Sequence, residues 1–139
     1  MSLFLPLKRA TLLIPSGPQG DQCRKHLFIV LTDPYNDEAG KKSILMVSLS
    51  TVRPGVPHDP TCFVYPGDHA FVKRKSYVVY PKARLEAVEA VSRGVENGLL
   101  VPRDPMDSGV FARICKGLED SAQTPPKLLA FYRQATGWS

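Results

Sequence analysis

No apolar run in these 139 residues approaches the ~18 that a membrane-crossing helix needs, so no span is expected. Cysteine is scarce. Cys23, Cys62 and Cys115 are an odd count without paired spacing, which argues against a disulfide framework and for a reducing, cytoplasmic setting. No Cys-x-x-Cys or His-x-x-x-His element occurs. His58, Cys62 and His69, with Cys23, offer soft ligands within a short span, but unpaired in this way they are a weak metal signal and no metal is expected. No glycine-rich loop follows a strand-like run, so no nucleotide cofactor is expected, and there is no serine-hydrolase elbow. The opening Met1-Ser2-Leu3-Phe4-Leu5-Pro6-Leu7 has no cation ahead of it and no small-residue cleavage pattern behind it, which makes a secretory leader unexpected. Internal repeats and low-complexity tracts are missing too.

Positive charge is in excess, and it is unevenly placed. Through Arg84 there are 12 Lys/Arg against 6 Asp/Glu, and from Leu85 onward 6 against 7, within a formal net charge of +5. The whole surplus therefore sits on the first part of the chain. Such asymmetry favours a polyanion, RNA or DNA, or an acidic protein segment as partner.

That basic part reads as β structure. Residues 8–15 form a short strand stopped by Pro15, and 16–21 an exposed loop. Lys25-His26-Leu27-Phe28-Ile29-Val30-Leu31-Thr32 is too β-branched for a helix and too continuously apolar for a one-sided strand, which places it centrally in a sheet. Asp33-Pro34-Tyr35-Asn36-Asp37 reads as a turn, and residues 42–51 as a second central strand ending in hydroxyls. Two further strands, Phe63-Val64-Tyr65 and Ser76-Tyr77-Val78-Val79-Tyr80, flank a loop holding His69 and the cations Lys73, Arg74 and Lys75. After Pro81 the spacing becomes helical. Leu85, Val88 and Val91 recur on one face, and Leu99-Leu100-Val101 is a short extended return. Asp107 or Ser108 caps a second helix, and Thr124-Pro125 starts a third. Sequential strands without helices between them cannot make parallel crossovers. The expected fold is therefore one α+β domain with a mainly β core: a small antiparallel barrel over 8–84 and two or three helices over 85–139 packed against it.

Metal-free phosphodiester cleavage needs a base, an acid and donors for the crowded phosphorus. His26, His69, Lys42, Arg84, Ser50 and Thr51 are the residues of the right types, since strand ends in a small barrel converge.

The order of pieces over about 8–85 resembles the MazF/PemK-like toxin group. Val47-Ser48-Leu49-Ser50-Thr51 is similar to the group's Pro-apolar-Thr-Ser strand end, with the proline lost. Ser76-Tyr77-Val78-Val79-Tyr80-Pro81-Lys82-Ala83-Arg84 matches a later strand in length and keeps Ser76 and Arg84. Lys25 or His26 stands where the group has an arginine, and Pro81 where it has an acidic residue, so proton transfer would pass to His26 or His69. The resemblance implies an SH3-like barrel, RNA as substrate, metal-independent cleavage without cofactor, an antitoxin partner and a homodimer. The expected catalytic residues are His26, His69, Thr51 and Arg84, and the expected RNA contacts Lys25, Lys42, Lys73, Arg74 and Lys75. The alternative is a barrel module without catalysis that binds nucleic acid or a protein partner.

Overall fold

The apolar runs of the sequence become the middle of an antiparallel sheet. A computed structural model describes residues 4–15 and 25–137; Cys23 and the loop expected at 16–21 lie outside the described residues. Among those residues the strands are β1 (Thr11–Pro15), β2 (Lys25–Val30), β3 (Tyr35–Asn36), β4 (Lys42–Thr51), β5 (Phe63–Val64), β6 (Ser76–Val78), β7 (Arg84–Ala87) and β8 (Val101–Arg103). The helices are α1 (Val88–Glu96), α2 (Ser108–Asp120) and α3 (Pro126–Ala135), and a single 3-10 turn spans Tyr80–Lys82.

The strands order as β5-β6-β4-β2-β1-β8, with β3 and β7 also paired to β4. The fold is thus α+β with an eight-stranded antiparallel sheet and three helices. The sheet does not close into a barrel: β5 and β8 remain edges. Pro102 sits within β8, where an edge strand tolerates a residue that cannot donate to a ladder.

Strand β4 organises the rest. One side of it meets β2 and β3, and the other meets β7 over Ser43–Met46 and β6 over Leu49–Thr51. Alternate residues of the central strands face two separate cores. Leu27, Ile29, Leu45, Val47 and Leu49 pack with Met106, Ile114, Leu118 and Phe131 of the α2–α3 side, whereas Phe28, Val30, Ile44 and Met46 pack with Val91 of α1. Burial on both faces is why these runs are continuously apolar, and each fully buried Leu, Ile or Val contributes about 1.5–3 kcal/mol.

Two strands occupy segments with other expectations. Tyr35–Asn36 is paired, not merely a turn, and Leu85 lies in β7, so α1 begins three residues later than the helical spacing suggests. The helix caps follow the expected chemistry at one end only. Asp107 Oδ2 accepts from the Gly109 and Val110 amides at the start of α2. Thr124 does not cap α3; its hydroxyl donates to Leu118 O at the end of α2, 2.8 Å away.

Beneath α2 lies a close contact with Tyr80. Tyr80 is fully buried, and its hydroxyl donates to Ile114 O at 2.7 Å. Burial, with Cys62 beside it, pushes its phenol far above the ordinary range, so it stays a neutral donor. The ring lies against Gly117, where a Cβ would stand 2.0 Å from the Tyr80 oxygen.

Candidate functional site

Strands β2 and β4 pair only over Phe28↔Ser48, Ile29↔Val47 and Val30↔Met46. Beyond Ser48, β4 turns to β6, with Ser50↔Tyr77 and Thr51↔Ser76, while β2 continues beside β1 through Ile14↔His26 and Pro15↔Lys25. The two strands therefore part, and a cavity opens on each side of the parting. His26, Leu49 and Ser50 line both.

The first cavity, about 630 Å³, falls within the roughly 300–1,000 Å³ usual for ligand sites. Its walls carry His26, Ser48, Ser50, His58, Tyr77, Lys82 and Arg84. Arg84 is held from two directions. Its guanidinium lies 4.6 Å from the Phe28 ring centroid, and its Nε is 3.2 Å from Glu86 Oε1. A half-exposed ion pair of this kind adds little stability, but together with the ring it fixes where the guanidinium points. Among the described lining residues the one carboxylate is Asp59, which is 5% exposed. Burial alone would push the Asp59 carboxyl up. Hydrogen bonds from the Ser121 and Thr61 hydroxyls and the Thr61 amide, with His58 nearby, outweigh that and hold it below the ordinary range. Asp59 is thus an ionised structural anchor and a poor proton acceptor.

The second cavity, about 340 Å³, is lined by Lys25, His26, Thr51, Arg53, Lys73, Arg74 and Ser76 among others, and its described lining contains no carboxylate. Four cations and three hydroxyls, counting Ser50, around one hollow make a surface suited to anions.

The expected residues divide accordingly. His26 and Arg84 meet in the first cavity, and Lys25, His26, Thr51, Lys73 and Arg74 in the second. Lys75 points elsewhere, its Nζ 4.2 Å from the Phe63 ring centroid. Lys42 pairs with Asn36 near the opposite end of β4, about 26 Å along the strand from Ser50 at 3.3 Å per residue.

His69 is also apart from this group. It is 6% exposed and lines neither cavity. Its Nε2 is 2.6 Å from Asp104 O, and its Nδ1 accepts from the Phe71 amide at 3.0 Å, which fixes the tautomer with the proton on Nε2. Thr11 Oγ1 donates to the same Asp104 carbonyl and Arg9 Nε to Met106 O, so three side chains clamp the segment between β8 and α2. We expect His69→Ala to cost about 2–3 kcal/mol in a urea melt, for the lost buried ring and the Phe71 amide left without its acceptor. RNA affinity, measured where both proteins are folded, should not change. A loss of affinity without loss of stability would return His69 to the site.

His58, Lys82, Tyr77 and Arg53 join the site without having been expected there. Lys82 and Tyr77 carried a usable signal: Lys82 stands two residues before Arg84, and Tyr77 alternates with the inward-facing Ser76 and Val78. His58 carried none, because only the path of the chain after β4 folds it over Tyr77. Among the described residues no cluster of three or more His, Cys, Asp or Glu is placed to hold a metal ion. Burial raises the Cys62 and Cys115 thiols, which leaves both as poor nucleophiles. No family model matches the chain significantly, nor does any curated protein or any solved structure.

Proposed function

We propose that the protein binds RNA along the trough centred on His26 and cleaves it there without metal. His26 serves as the proton-transfer group and Arg84, with Lys82, as the clamp on the phosphate. The observation that carries this reading is the position of His26: it stands in the wall between an acid-poor cationic hollow and a cavity holding Arg84, Lys82 and two strand hydroxyls. A backbone phosphate in the first cavity would meet donors already held in place, the arrangement that stabilises a crowded oxyanion. His58, in the same cavity, is the second group of the right type for acid–base work. The wider proposal is a toxin-like protein related to the MazF/PemK group, its sheet an opened form of an SH3-like barrel. It would act in the cytoplasm, as a homodimer, under an antitoxin.

Incubation with a long unstructured RNA tests this directly. Cleavage that persists in chelator and is lost in His26→Ala and Arg84→Ala is the expected result. Arg84→Ala should weaken RNA binding by roughly tenfold or more, a single charge-assisted contact being worth about 1.5–3 kcal/mol. If four to six of the lining cations meet phosphates, log affinity should fall with log salt at a slope of roughly −3 to −4.

One observation favours the non-catalytic alternative. Pro81, which lines the first cavity, occupies the place of the toxin group's acidic residue. RNA that is bound with that salt slope but stays intact from pH 5 to 9, the range in which histidines titrate, would decide for a binding module. Salt-insensitive association with a protein and no RNA affinity would decide against both.

A further inference from the structure

Resting on the RNA reading, we propose that the outer face of β5 and β6 is a base-stacking strip for the same unpaired strand, formed by Tyr77, Phe63 and Tyr65 with His58 and Lys75. Side chains alternate across these strands. Val64 and Val78 point inward and are fully buried, and Ser76 is 7% exposed, so the inner face already seals the core. The outward positions need only be polar, yet they hold aromatic rings: Phe63 pairs across the strands with Tyr77, and Tyr65 follows at 45% exposure.

The rings form a continuous path. His58 lies 5.2 Å from Tyr77 and 5.7 Å from Phe63 between centroids, and Phe63 lies 6.5 Å from Tyr65. Lys75 Nζ stands beside both outer rings, 4.2 Å from Phe63 and 5.9 Å from Tyr65. One end of this path, His58 and Tyr77, is itself wall of the first cavity. A strand whose phosphates follow the cations of the trough would thus pass onto aromatic faces as it leaves. Stacking on such faces is tolerant of base identity, and Lys75 supplies a cation for the linking phosphate. Duplex RNA, with its bases already stacked, gains nothing there.

The probes are a short 2′-O-methyl oligouridylate, which lacks the hydroxyl that cleavage would need, and an abasic 2′-O-methylribose-phosphate oligomer of equal length and charge. The parent protein should prefer the oligouridylate. Tyr65→Ser should weaken oligouridylate binding roughly tenfold while leaving the abasic oligomer as in the parent, and Tyr65→Phe should restore it. Exposure of Tyr65 makes the substitution compatible with folding, which a thermal melt checks; Phe63→Ser is the second variant. Parent affinity for the oligouridylate in both variants, or equal loss for both oligomers, would overturn the strip. A parent that binds both oligomers equally overturns the strip and spares the trough; one that binds neither removes both.

Discussion

Gly117→Ala is expected to lower the unfolding free energy by about 3 kcal/mol, the upper part of the range for overpacked cores. A Cβ there would stand 2.0 Å from the Tyr80 hydroxyl and 2.7 Å from its Cζ, and the ring has nowhere to go: it is fully buried and tied to Ile114 O. The flexible end of a surface side chain would give way, whereas a ring locked between sheet and helix must push the helix. In a protein of this size the melting temperature should fall by roughly 10 °C. Tyr80→Phe alone should cost about 1 kcal/mol for the lost hydrogen bond. The double variant should cost less than the two singles together, because removing the oxygen relieves the closest clash while Cζ remains too near. Urea melts of all four proteins measure the coupling, and a Gly117→Ala protein with the parent's midpoint would refute the packing argument.

Asp59→Ala should be comparably severe, at about 2–4 kcal/mol. The Asp59 carboxylate accepts from Ser121 Oγ at 2.6 Å, from the Thr61 amide at 2.9 Å and from the Thr61 hydroxyl. It thereby joins the loop after β4 to the end of α2, and truncation leaves the buried Ser121 hydroxyl without its acceptor. The pH dependence follows from the lowered pKa of Asp59. A carboxyl that titrates below its ordinary value of 3.8 when folded binds its proton less readily than in the unfolded chain. Its contribution is therefore complete above that value and is lost as pH falls through the folded one. Acid titration of stability should show this loss in the parent and its absence in Asp59→Asn. Because His58, Asp59 and Gln123 share the wall of the first cavity, either variant should also weaken RNA binding at neutral pH.

The sequence spoke clearly where local and global preferences agreed. The strand expected at 42–51 has those ends, since a run of apolar residues buried on both faces and closed by hydroxyls admits little else. Asp107 was readable as a cap because the bond it makes is local. Leu85 was not readable as a strand, because its spacing from Val88 and Val91 suits a helix, and only pairing with Leu45 across 40 residues of chain decides otherwise. His69 misled for a related reason. Its turn-rich surroundings suggest a surface residue, but the partner that buries it, Asp104, comes 35 positions later. The meeting of His26 with Arg84 depends on where β2 and β4 separate, and nothing in either segment marks that point.

The dual membership of β4 limits how this protein can vary. Leu45, Val47 and Leu49 face one core, while on the other parity Ile44 and Met46 face the second core and Ser48 and Ser50 the first cavity, so a one-residue deletion would exchange the two sets in both halves of the sheet at once. New binding preferences are therefore more readily acquired through the segments between strands, around Arg53–His58 and Lys73–Lys75, than through the beam that holds them. A library confined to those segments should stay folded far more often than one that touches Leu45–Leu49.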